Sequence, residues 1–131
     1  MHNISTFSAP VGRLLLAMMF VMSGFSKISN FAGTQGYMEA MGVPGAILPL
    51  AIALEVLGGL AIILGWKTKI ASVALAGFCV VSAALFHNDF SNQSEMIMFM
   101  KNITIAGGFL LLVAHGPGAY ALDNRKKSAQ V

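Results

Sequence analysis

Charge is what this chain has least of. Only 10% of its 131 residues are Asp, Glu, Lys or Arg, against about 25% in a soluble globular domain. A water-soluble fold of this size needs a charged surface, and the residues to make one are missing. Hydrophobic residues make up 56%, so lipid is the solvent that fits. The net charge is +3, but apart from Arg125-Lys126-Lys127 the basic residues are scattered. No basic stripe with interleaved aromatics exists, which argues against nucleic acid as a partner; the cationic tail suits anionic headgroups or cytoplasm. Cysteine is reduced to Cys79, so an internal disulfide and CxxC dithiol chemistry are both excluded. Inside an apolar run, that thiol reads as a small hydrophobe. GxGxxG after a strand, the P-loop and HExxH are also absent. The nine methionines form no cluster with other soft ligands and read as packing residues, so no metal is expected. Met1 to Pro10 carries no charged n-region of the kind that marks a cleaved signal peptide, so the first apolar run is expected to stay as a helix.

What is present is four long apolar segments. A bilayer core of about 30 Å takes about 20 mostly apolar residues in a helix. The segments Pro10–Lys27, Pro44–Trp66, Ile70–His87 and Met96–His115 approach that length. The expected fold is all-α: an integral membrane four-helix antiparallel bundle, one domain over residues 1–131. Between the first two spans, FAGTQGYMEAMG is amphipathic enough for a short interfacial helix anchored by Phe31, Tyr37, Met38 and Met41. The second connection, Gly65–Lys69, is a tight basic turn, and the third, HNDFSNQSE at 87–95, is polar and acidic. Lys67, Lys69, Arg13 and Arg125–Lys127 all fall on one side of such a bundle, while Lys27, Glu39, Asp89 and Glu95 fall on the other. That bias places both termini in the cytoplasm. Gly58, Gly59, Gly107 and Gly108, with Ala74, Ala76, Ala83 and Ala84, are expected where helices approach closely. Pro49 is expected to bend the second span.

Ionisable groups inside spans cost a few kcal/mol or more, so they default to a functional reading. Glu55 lies half way along the second span, too deep to snorkel, on the face that carries Ala51 and Gly59. It needs a partner or a proton, and the depth of Lys101 in the fourth span makes that lysine the expected partner. The expected polar pocket has Glu55, Lys101 and Asn102 as its floor and Lys27 and His87 at its mouth, in the outer half of the bundle. Phe20, Met22, Phe86 and Met98 are the expected walls. Against this stands a bland reading: Lys27 and His87 snorkel at helix ends, and Glu55 with Lys101 is a structural ion pair that fixes helix register. Arg13 reads as an interface anchor. His87 and His115 lie near opposite ends of the bundle and offer no pair for a haem.

These residues carry a resemblance. RLLLAMMFVMSGFSKI at 13–28, YMEAMGVPG at 37–45, LEVLGGLAIILGWKTK at 54–69, ALFH at 84–87 and FMKNITIAGGFLLLVAHGPGAYALD at 99–123 resemble the DoxX family of small bacterial membrane proteins over nearly the whole chain. The resemblance implies a four-helix bundle in the bacterial inner membrane with cytoplasmic termini. It also implies association with quinone-linked oxidation and with oxidative-stress membrane complexes. Arg13, Lys27, Glu55, His87, Lys101 and Asn102 match the family's recurrent polar positions, but the resemblance carries no catalytic role onto any of them. Three readings of function stay open: an accessory or subunit of a membrane oxidoreductase that binds a quinone or small aromatic, a non-catalytic scaffold that binds a membrane or cytoplasmic partner, and a small proton-coupled transporter. No covalent cofactor is expected; a bound quinone belongs to the first reading.

Overall fold

The computed structural model describes residues 2–124; Arg125–Lys127 lie outside the described residues. Five helices follow one another: α1 His2–Ser29, α2 Phe31–Ala40, α3 Leu48–Leu64, α4 Thr68–Phe86 and α5 Gln93–His115. Single 3-10 turns at Gly45–Ile47 and Leu122–Asn124 complete the order. Four stretches are long and apolar enough to cross a membrane: Thr6–Ser29, Gly45–Leu64, Thr68–Phe86 and Gln93–His115. The short α2 sits between the first two, as expected from its composition. α1 starts well before Pro10, which sits inside the helix and supplies no N–H to the ladder.

Local chemistry explains the ends. Pro49 lies in the first turn of α3, where its missing N–H would be unsatisfied in any case. It starts that helix and does not bend it. Gly65 (φ 72°) ends α3 in the left-handed region, with Gly65 N–H donating to Ile62 C=O and Trp66 N–H to Ala61 C=O; this is a Schellman closure. The Asn92 side chain accepts from the N–H groups of Ser94 at 2.9 Å and Glu95 at 3.3 Å, which caps α5.

The core draws on all four long helices: Ala17 and Phe20 from α1, Ala61 and Ile62 from α3, Leu75 and Cys79 from α4, Ala106 and Phe109 from α5. Phe20 and Phe109 meet edge to face at 5.5 Å. Small residues set the α1–α3 seam, where a Cβ on Gly59 would lie 2.8 Å from Val21 and 3.3 Å from the Ala17 carbonyl. Gly58 faces Leu75 of α4, and Gly108 faces Leu16 of α1. Gly107 departs from expectation, with open space beside it, and Ala84 is exposed. Large apolar residues ring the outside, among them Leu15, Met22, Leu50, Leu57, Ile70 and Leu111. In water that surface would be an aggregation hazard; in lipid it is the solvent-facing one.

Candidate functional site

The α1–α3 seam carries a cation at each end. Along α1, Arg13, Ala17, Val21, Gly24 and Lys27 recur at steps of three or four, so they share one face. Gly24 lets that face come down on α3: a Cβ there would collide with Val56 and lie 3.5 Å from the Glu55 Cβ. One turn further on, Lys27 Nζ donates to Glu55 Oε1 and forms an ion pair with it. The Glu55 side chain is 1% exposed and that of Lys27 27%, so the pair opens outward only through its lysine. Lys27 Nζ also lies 5.5 Å from the centroid of the Phe78 ring of α4, a cation–π distance. The second carboxylate oxygen, Oε2, is buried with no hydrogen-bond partner among the described residues. A buried acceptor in that state costs about 1–3 kcal/mol and more when charged, so it is an acceptor that still lacks a donor.

The structure therefore pairs Glu55 with Lys27, where depth alone had pointed to Lys101. Lys101 is exposed and lines a shallow groove with Met96, Ile97, Met100, Thr104 and Ile105. Asn102 is half-buried on the same helix. His87 bonds Glu95 at 3.0 Å, which ties the end of α4 to the first turn of α5. Among the described residues, no hydrogen bond or ion pair joins Lys101, Asn102 or His87 to the Lys27–Glu55 pair. Of the expected walls, Phe20 is in the core, Phe86 stacks on Tyr37 at 5.5 Å, and Met22 and Met98 face outward.

At the other end, Arg13 is 2% exposed and points into the bundle. Its guanidinium donates to the carbonyls of Ile62 at 3.1 Å and Ile63 at 2.9 Å, and to that of Tyr120. Two of these carbonyls belong to the last turn of α3, beyond its regular ladder; that of Ile62 also accepts from Gly65 N–H. The same corner holds Asp123, which residue reasoning had passed over. Lys67 precedes α4 in a left-handed conformation (φ 48°) and offers no side-chain cap. Asp123 supplies one from more than 50 residues away: its carboxylate accepts from Lys67 N–H at 2.6 Å and Thr68 N–H at 2.8 Å. Its own N–H donates to Gly65 C=O at 2.9 Å. Burial alone would raise the Asp123 carboxyl; hydrogen bonds from Thr68 and Lys67, with Arg13 nearby, outweigh it and hold the carboxyl below its usual value. The only sequence signal was the segment GPGAYALD, which mattered to the resemblance and not to any site.

Fold and site define a class: a small multi-pass helical membrane protein with a buried, half-satisfied ion pair between its first two spans. The DoxX family model matches residues 9–88, and the chain belongs to that family. It is 50% identical over 123 residues to the inner membrane protein YqjF of Escherichia coli, covering 94% of this chain and 95% of that one. It is 34% identical over 122 residues to the inner membrane protein YphA of the same organism, covering 88% and 87%. A more distant similarity, 27% over 121 residues, links 88% of this chain to 33% of the ER-derived vesicles protein ERV29 of Saccharomyces cerevisiae. No solved structure matches.

Proposed function

We propose that this protein is an accessory subunit of a quinone-linked oxidoreductase or stress-response complex in the bacterial inner membrane, and that it holds a quinone or small aromatic at the Lys27–Glu55 pair. The observation that carries this reading is the unpartnered Oε2 of a 1%-exposed Glu55 beside a part-exposed lysine. A quinone carbonyl accepts from an ammonium, and a quinol hydroxyl donates to a carboxylate; the pair offers both at adjacent atoms. The Phe78 ring beneath Lys27 supplies an aromatic surface for the ligand ring. Its relatives' names place YqjF and YphA in the inner membrane, and the orientation that the positive-inside rule predicts would put this pair in the outer half.

The test is a titration with a short-chain benzoquinone of the protein in lipid nanodiscs, read by native mass spectrometry. Saturable binding to wild type is expected, weakened tenfold or more in both Glu55→Gln and Lys27→Met. Binding that persists unchanged in both variants removes this site.

A further inference from the structure

A second site lies at the end of the bundle that carries Arg13 and Asp123. There a cavity of about 520 Å³ opens between the start of α4 and the end of α5. Lys67, Lys69 and His115 line it, together with Asp123 and with Ile70 and Ala114 on its membrane side. Asp123 stays anionic while its oxygens accept from the N–H groups of Lys67 and Thr68, and its charge offsets one of the two lysines, so the lining keeps a net positive charge. Among the described residues, Lys67, Lys69 and His115 have no ion-pair partner. Lys67 Nζ instead lies 5.1 Å from the Trp66 ring, and an exposed Trp beside a Lys suits the membrane–water interface. The cavity is therefore basic, built into the bundle end and at headgroup depth.

Its lower rim continues into the membrane. On α4, Ile70, Val73 and Gly77 recur at steps of three and four, and on α5 Ala114, Leu111 and Gly107 do the same. All six are exposed, and a Cβ added at Gly77 or Gly107 would meet nothing within 4 Å. Counting from the two cavity residues Ile70 and Ala114, both glycines lie seven residues in, at matching depth. On each helix the exposed face that borders the cavity thus continues down past one position that carries no side chain.

We propose that this cavity binds the phosphate headgroup of an anionic phospholipid, with an acyl chain lying along the exposed faces at Gly77 and Gly107. Basic pockets between spans bind such headgroups, and a chain-bearing ligand uses those faces where a free anion does not. The occupant is a membrane lipid and is independent of any ligand at Lys27–Glu55.

The experiment is native mass spectrometry of the full chain in detergent with added phosphatidylglycerol, phosphatidylcholine or inorganic phosphate, alongside thermal melting. Wild type is expected to retain phosphatidylglycerol in preference to phosphatidylcholine and to melt higher with it, while phosphate alone changes nothing. The double variant Lys67→Asn/Lys69→Gln keeps a residue tolerant of the left-handed turn and removes both charges. Its affinity for phosphatidylglycerol is expected to fall about thirtyfold, from roughly fivefold per lysine. Gly107→Leu fills one of those two positions in open space, improves helix propensity, and is expected to weaken lipid retention without lowering the lipid-free melting temperature. Equal retention of the two lipids, undiminished retention in both variants, or full reproduction of the effect by phosphate alone overturns the proposal.

Discussion

Lys27 and Glu55 form a pair whose two halves are unequally buried, and removing either one tests a different thing. Lys27→Met leaves a carboxylate alone between packed helices. Breaking a buried pair in this way costs about 3–5 kcal/mol, and the part-exposed lysine puts this one at the low end. Glu55→Gln costs less, because it removes the buried charge and leaves a lysine that can turn outward. The double variant Lys27→Met/Glu55→Gln is expected to be more stable than Lys27→Met alone. Unfolding of the four proteins in one detergent checks this: additive losses would show that the two side chains do not interact. The residue-level reading of the sequence found Glu55 because depth in a span is countable. It missed Lys27 as the partner because the choice between Lys27 and Lys101 depends on how each helix is rotated about its axis. In lipid the outward face is as apolar as the inward one, so the hydrophobic pattern of α5 does not say which way Lys101 points. The inward turn of Arg13 was hidden for the same reason: an inward face at a helix end looks, in sequence, like an interfacial one.

At the scale of elements, glycine and a distant carboxylate decide how helices meet. Gly59 and Gly107 were given the same role by composition, and the structure separates them. Gly59→Ala is expected to destabilise by about 1–3 kcal/mol through overpacking against Val21 and the Ala17 carbonyl. Gly107→Ala, with nothing beside it, is expected to be neutral or to stabilise by up to about 1 kcal/mol. Melting both variants beside wild type checks the contrast. Asp123 gives the second element-scale prediction. Its carboxyl is held below its usual value in the folded protein, so its contribution is complete above the unfolded carboxyl range, about 4. That contribution is lost as pH falls through the folded value. Asp123→Asn is expected to cost about 1 kcal/mol near neutrality, as loss of a cap does, and to narrow its gap to wild type on acidification. A gap that is constant from pH 7 to pH 3 would contradict this role. The four spans and the short α2 were legible in the sequence because length and apolarity mark them directly. The cap on α4 was not, because its donors lie 55 and 56 residues from its acceptor and no local pattern joins them.

For the whole molecule, the bundle arranges two polar centres along one α1–α3 seam and turns large apolar residues outward. By the positive-inside rule, its charge bias predicts both termini in the cytoplasm. Reporter fusions are expected to find the C-terminus on the cytoplasmic side and the 87–95 loop on the outer side; the reverse would move the Lys27–Glu55 pair to the inner half. The central claim is that this pair holds a small molecule. Mass spectrometry of small molecules extracted from the gently purified protein, wild type beside Glu55→Ala, tests it most directly. The account predicts a quinone or small aromatic in wild type that is missing from the variant. A wild-type protein that carries none in native-like lipid, or a variant that carries as much, would contradict it.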